Sequence, residues 1–159
     1  MEEERVVVEP VEPHDRAALE ALSTAEGQAD WVATNAESLA EAEEDPDARP
    51  RAIRAGGRLV GFLMYEAPAD GDTAKIYRFM IDRAAQGRGL GRRALAAVLT
   101  EISELAHVRR VEICYMPDNE AARRLYAAAG FVETGLDEDG EQIAVRDLVG
   151  AGTDRRETR

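Results

Sequence analysis

FMIDRAAQGRGLGRRAL, residues 79–95, sets three glycines and four arginines directly behind an apolar run. The run itself, Lys75–Asp82 (KIYRFMID), has the length and apolar content of a central β-strand. Behind the turn, Gly89–Leu105 carries Leu90, Leu95, Val98, Leu99, Ile102 and Leu105 at helical spacing and is the clearest helix in the chain. A strand, a glycine-rich turn and a helix together make a place to bind phosphate. The first amides of a helix lack intrahelical partners, and the helix dipole adds about half a positive charge there. Glycine lets a ligand approach the backbone, and arginine adds charge-assisted hydrogen bonds to phosphate oxygens.

Spacing decides which phosphate ligand fits. A Walker loop ends Gly-Lys-Ser/Thr, whereas this turn ends Gly91-Arg92-Arg93. A dinucleotide fingerprint starting at Gly87-x-Gly89 asks for glycine at position 92, which is arginine, and belongs at the first strand of its unit. What remains is Gln86-x-x-Gly89-x-Gly91 placed directly after a strand.

Outward from this turn the chain alternates strands and helices. Upstream, Arg5–Glu9 reads as a short strand closed by Pro10 and Pro13, and His14–Ser23 as a first helix with Ala17, Leu19 and Leu22. Ala29–Glu44 reads as a second helix, with Trp31, Val32, Ala36, Leu39 and Ala40 inward and Glu37, Glu41, Glu43 and Glu44 outward. Arg51–Arg54 and Leu59–Tyr65 flank Gly56-Gly57 as a hairpin. Downstream, Arg110–Met116 alternates as a strand, and Asn119–Ala129 is a helix capped by Asn119 and ended by Gly130. Phe131–Thr134 and Gln142–Leu148 form two strands joined across Asp139-Gly140. The order βααβββαβαββ predicts one mixed α/β domain over residues 1–150, with 151–159 a polar, disordered tail.

The 159 residues carry a formal charge of −12. Residues 1–70 hold 17 acids against 6 arginines, so the acidity belongs to the N-terminal half and the glycine-arginine turn is a basic island. Such a balance speaks against nucleic acid and anionic membranes and favours cationic partners. No apolar run reaches membrane-spanning length, and the acidic start is unlike a secretory signal. Cys114 is the single cysteine, so a reducing cytoplasm is the expected location; with only His14 and His107 beside it, no metal site is expected. Cys114 itself reads as a buried packing residue.

The segment Gln86-x-x-Gly89-x-Gly91 resembles the signature of the GNAT superfamily of N-acetyltransferases, Gln/Arg-x-x-Gly-x-Gly/Ala between the fourth strand and the third helix. Asn119-Glu-Ala-Ala-Arg-Arg-Leu125-Tyr126-Ala-Ala-Ala-Gly130-Phe131 is similar to a second segment of that family. Within the superfamily, RFMIDRAAQGRGLG, TGLDEDGEQIAVRDL and, more loosely, GQADWVATNAESLAEAEE look most like bacterial diamine or polyamine acetyltransferases.

The resemblance implies a GNAT-like fold, a mixed and mostly antiparallel central sheet flanked by helices, with acetyl-CoA as co-substrate. Its pyrophosphate is expected on the amides of Gln86, Gly87, Arg88, Gly89, Leu90 and Gly91, beside Arg88, Arg92 or Arg93, and Asn119 is the family's further CoA contact. The backbone of Phe79, Met80 and Ile81 is expected to pair with the pantetheine arm, an amide near Ile81 polarising the thioester carbonyl. Tyr126 stands where the family commonly places its general acid, and a phenol of pKa about 10 is still protonated at neutral pH. The base is less defined: Glu66 and Glu112 are candidates. Glu26, Asp30, Glu37 and Glu41 on the acceptor side, together with Glu66, are the expected substrate-binding residues for a small polyamine. Other acceptors compatible with the same charge are a protein N-terminus, a lysine or an aminoglycoside, and a non-catalytic acyl-CoA-binding domain is the alternative from another class. A homodimer is an expectation carried by the resemblance alone.

Overall fold

The computed structural model describes residues 5–22 and 35–148. The elements follow the expected order. They are β1 (Val6–Pro10), α1 (Arg16–Ala21) behind a 3-10 turn at Pro13–Asp15, α2 (Asn35–Glu44), β2 (Ala48–Ala55), β3 (Arg58–Glu66) and β4 (Thr73–Ile81). A second 3-10 turn at Arg83–Ala85 leads to α3 (Leu90–Ser103), β5 (Arg110–Tyr115), α4 (Glu120–Ala128), β6 (Val132–Leu136) and β7 (Gln142–Asp147). The seven strands form one sheet in the order β1-β2-β3-β4-β5-β7-β6. β1–β2, β5–β7 and β6–β7 pair antiparallel, and β4–β5 pairs parallel. KIYRFMID is central as its apolar content predicts, since β4 is fourth of the seven.

The chain packs as two compact units, Met1–Tyr65 with Tyr77–Val98, and Glu66–Ile76 with Leu99–Arg159. In the first, Leu19 of α1, Leu39 of α2, Ala52 of β2, Phe62 and Met64 of β3 and Met80 of β4 form one apolar cluster. In the second, Val111, Ile113 and Tyr115 of β5 alternate inward and are buried, as are Tyr126, Phe131 and Ala144. The parallel ladder between β4 and β5 lies within this second unit and runs from Thr73–Arg110 to Ile76–Ile113.

Several expectations need adjustment. β2 begins at Ala48, three residues earlier than the sequence suggests, and includes Pro50. Its register with β1 starts at Arg51 opposite Pro10, so Pro50 lies where β1 asks for no ladder donor. The inward face of α2 is Asn35, Ser38 and Leu39, while Ala36 is exposed. The helix is turned because the Asn35 amide is claimed from inside, as described below. Trp31 and Val32 lie outside the described residues, as does the expected tail. α3 stops at Ser103, leaving Leu105 half-buried beyond its end. Cys114 is half-buried rather than fully packed away.

One buried charge organises the entry to α1. Asp15, 4% exposed, accepts from the Glu12 amide at 3.0 Å and from Arg54 Nη2 at 2.6 Å, and Arg54 Nε also donates to Glu9 at 2.6 Å. The Glu12 amide, followed by the Arg54 guanidinium, holds the Asp15 carboxyl below its ordinary range. A depressed carboxylate stabilises the fold above its unfolded pKa, and that contribution disappears as pH falls through the folded value. Asp15→Asn is therefore expected to lose about 1.5–3 kcal/mol at neutral pH. In thermal melts the gap to the wild type should narrow as the solution is acidified.

Candidate functional site

The glycine-rich turn belongs to the first unit and is built as its sequence requires. Gly87 and Gly89 have φ of 86° and 75°, a region closed to side chains at low cost, and both are exposed. A Cβ built on Gly87 would meet nothing within 4 Å, so the backbone there faces open space. Gly89 accepts the first helical bond of α3 from the Arg93 amide at 3.3 Å, which leaves the amides of Leu90, Gly91 and Arg92 without an intrahelical acceptor. Arg92 reaches back over Gly89, its Nη2 being 3.8 Å from where a Cβ would stand. Arg93 donates to the Arg88 carbonyl at 3.3 Å and so braces the loop. Leu90, 1% exposed, anchors the helix in the core.

The turn is tied to the end of β4. Gln86 Nε2 donates to the Ile81 carbonyl at 2.9 Å, and the Asp82 amide to the Val60 carbonyl at 2.6 Å. Gly61 in β3 permits the approach of the strand itself, since a Cβ there would lie 2.4 Å from the Met80 carbonyl oxygen. Phe79, Met80, Ile81 and Gln86–Arg92 are thus brought together in one continuous feature. Asn119 lies in the second unit, where its side chain accepts from the Ala122 amide at 3.1 Å and caps α4, as predicted.

Tyr126 is on α4 and is 7% exposed. Its ring sits between Tyr115 and Phe131, with centroids 5.3 and 5.9 Å away. Among the described residues no group hydrogen-bonds its hydroxyl, which is rare for a buried polar atom. Burial, and after it the neighbouring Tyr115, pushes the Tyr126 phenol well above its ordinary range. Tyr115 differs in having a partner: its hydroxyl donates to Glu133 Oε2 at 2.6 Å, and Arg123 Nε donates to the same oxygen at 2.8 Å. Burial and then the Glu133 bond push Tyr115 up to about 12, while Tyr115 and Arg123 hold Glu133 low.

The acidic candidates fall in both units. Glu37 and Glu41 lie exposed on α2 in the first unit, and Glu66, half-buried, ends β3 in the second. Glu26 and Asp30 lie outside the described residues. Glu112 faces Lys75 on the neighbouring strand at 3.9 Å, a structural ion pair. Cys114 shares a small cluster with Asp137 and Glu141, their ligand atoms all within 4.8 Å of one another. Burial raises that thiol's pKa, which keeps it protonated at neutral pH, and Asp137 Oδ1 is already engaged by the Asp139 and Glu141 amides.

Sequence reasoning missed two features of the first unit. One is Gly61, a strand glycine whose need appears only when β4 is laid beside it. The other is the pair Asn35 and Arg78. Arg78 shares parity with Ile76 and Met80 on β4, so an arginine at a core-facing position of a central strand was the available signal. Among the described residues no helix is long and apolar enough to cross a membrane.

Residues 16–131 match the model of the acetyltransferase (GNAT) family. The chain is 32% identical over 148 residues to the spermine/spermidine N(1)-acetyltransferase of Bacillus subtilis (strain 168), covering 89% of this chain and 97% of that protein. Among solved structures it resembles an acetyltransferase from Thermus thermophilus with a TM-score of 0.74 and 26% identity, over 93% of this chain and 100% of that one. The PaiA N-acetyltransferase of Thermoplasma acidophilum, solved in complex with coenzyme A, shares the fold at a TM-score of 0.70 and 13% identity, over 91% of this chain and 99% of that one.

Proposed function

This chain belongs to the acetyltransferase (GNAT) family and is an N-acetyltransferase, and from that premise we propose that it transfers the acetyl group of acetyl-CoA to a primary amine of a small polyamine. Transfer is by direct attack in a ternary complex. The observation that carries the reading is the Tyr126 hydroxyl, buried and without a partner among the described residues, as befits a group whose partner arrives with substrate.

The residues fit the donor on two grounds. The positive-φ glycines leave the backbone of the turn open where a Cβ would crowd a phosphate, and the orphaned phenol suits a leaving sulfur. Gln86–Gly91 would hold the pyrophosphate on their amides, with Arg88 and Arg92 at the rim and Asn119 as a further contact. Phe79–Ile81 would hold the pantetheine arm as an added strand. Acetyl-CoA supplies a thioester in which the amine nitrogen forms a C–N bond to the acetyl carbon as the C–S bond breaks. Tyr126 holds the proton that the departing sulfur takes, and its raised pKa keeps that proton in place through the neutral range.

The polyamine acceptor is supported by the named relative and by the acidic N-terminal half. Glu37 and Glu41, with Glu26, Asp30 and Glu66, would hold the distal ammonium groups rather than the reacting one, since an acidic surround stabilises the charged amine. The same reading places the protein in the cytoplasm and allows a homodimer. CoA thiol release from acetyl-CoA should be saturable with spermidine and spermine. It should be far slower with a lysine peptide, an aminoglycoside or no acceptor. Release with only the peptide or the aminoglycoside would overturn the polyamine assignment.

A further inference from the structure

Arg78 is a charge in a place built for carbon. β4 buries every second residue, and Arg78 is 8% exposed at a position flanked in register by Ile76 and Met80. A guanidinium carries five N–H donors in a fixed plane. Here Nε and Nη2 both go to one atom, Asn35 Oδ1, at 3.2 and 2.9 Å. Among the described residues the guanidinium has no other acceptor, and no carboxylate within ion-pair distance.

The Asn35 carboxamide is not there by chance of rotation. Its Nδ2 donates to the Leu19 carbonyl at 2.7 Å and lies 3.8 Å from Met80 Sδ, which fixes its oxygen towards Arg78. The amide thus aims the guanidinium but brings no negative charge. Burial works against the arginine's charged state, and the charge that offsets this comes at longer range from Glu37, exposed on α2. A buried cation without a counter-ion is costly, and a planar fork with donors to spare matches a carboxylate.

We propose that Arg78, oriented by Asn35, binds the carboxylate of an acceptor that also bears the reacting amine, so that the enzyme acetylates diamino acids as well as simple polyamines. The inference rests on the reading of Phe79–Ile81 as the strand that holds the thioester. Arg78 and Met80 are two residues apart, about 6.5 Å along a strand, which suits an amine and a carboxylate at opposite ends of a short chain. Glu37, already within electrostatic reach of Arg78, faces the α-ammonium of such an acceptor. The acetyl group goes to the distal amine: the C–N bond forms as the C–S bond breaks, the departing sulfur takes the Tyr126 proton, and the proton that leaves the amine passes through water and restores the phenol.

The test uses acceptors that differ by the carboxylate alone: ornithine against putrescine, and lysine against cadaverine, with spermidine as reference. Thiol release gives kcat/KM for each, corrected for the twofold statistical advantage of a symmetrical diamine. In the wild type each amino acid should equal or exceed its decarboxylated partner. Arg78→Gln should lower the ratio of amino acid to diamine at least about tenfold, the scale of a charge-assisted pair. Arg78→Lys, keeping charge without the fork, should lower it less. An unchanged ratio in Arg78→Gln overturns the proposal, as does a wild type that favours each diamine tenfold or more. That wild-type comparison stands even if the glutamine variant fails to fold. Turnover with spermidine and the diamines alone would overturn this inference and leave the polyamine reading intact. Turnover with none of them would overturn both readings.

Discussion

Tyr126→Phe is expected to lower kcat about 100-fold while leaving the Kd for acetyl-CoA within about twofold. The substitution removes one oxygen and keeps the ring, so the stack with Tyr115 and Phe131 persists. Because the hydroxyl has no bond to lose among the described residues, its removal leaves no protein group unsatisfied, and stability should be unchanged or slightly raised. The loss should therefore fall on the proton transfer alone. A raised phenol pKa makes a second statement: Tyr126 stays protonated throughout the working range, so kcat should show no alkaline limb from this residue below about pH 10. Calorimetric titration of acetyl-CoA and steady-state turnover separate the two effects. Equal kcat in the two proteins would remove Tyr126 as the acid.

The largest loss of stability should come from Gly61→Ala. The new methyl would stand 2.4 Å from the Met80 carbonyl oxygen, 3.1 Å from Ile81 Cδ1 and 3.2 Å from Ile53 Cδ1. The two isoleucine ends can shift, but the carbonyl belongs to a central strand and cannot move without carrying β4 with it. Overpacking of this kind costs about 1–3 kcal/mol, and more where backbone must yield. Since the displaced backbone is the segment proposed to receive the pantetheine arm, acetyl-CoA affinity should fall several-fold as well. Gly71→Ala is the matching control, because nothing lies within 4 Å of its Cβ and its φ is not positive. It should stay within about 0.5 kcal/mol of the wild type in urea melts. Equal midpoints for Gly61→Ala and wild type would show that β3 and β4 have slack at this point.

The order of elements was legible because periodicity and punctuation agree along most of the chain. Asn119 caps α4 through its own side chain, the stripe of α3 is buried from Leu90 to Ile102, and the Gly56-Gly57 and Asp139-Gly140 turns lie where strands reverse. Local chemistry sets each of these, so a window of a dozen residues contains the answer. α2 was misjudged for the opposite reason. Its inward face includes Asn35 and Ser38, and what draws Asn35 inward is Arg78, 43 residues away. No helical window holds that information. The site divides in the same way: Gly87, Gly89 and Gln86 announce a phosphate turn from spacing alone, whereas Gly61 shows its purpose only once Met80 lies beside it. The acidic acceptor residues are not legible in the sequence, since a carboxylate on a helix surface looks the same whether it meets water or substrate.

The bond between Asn35 and Arg78 also bears on the order in which the chain assembles. It closes a loop of 43 residues that contains all of β2 and β3. Loops of that length close slowly, and hairpins close first. α2 therefore gains its anchor on β4 only after β2, β3 and β4 have come together, although it precedes all three in synthesis. A nascent chain would carry the helix on α1, without its tie to β4, until Arg78 has left the ribosome. The acceptor-side helix is then tied to the sheet only once β4 is in place, and the sheet provides the template on which it is set.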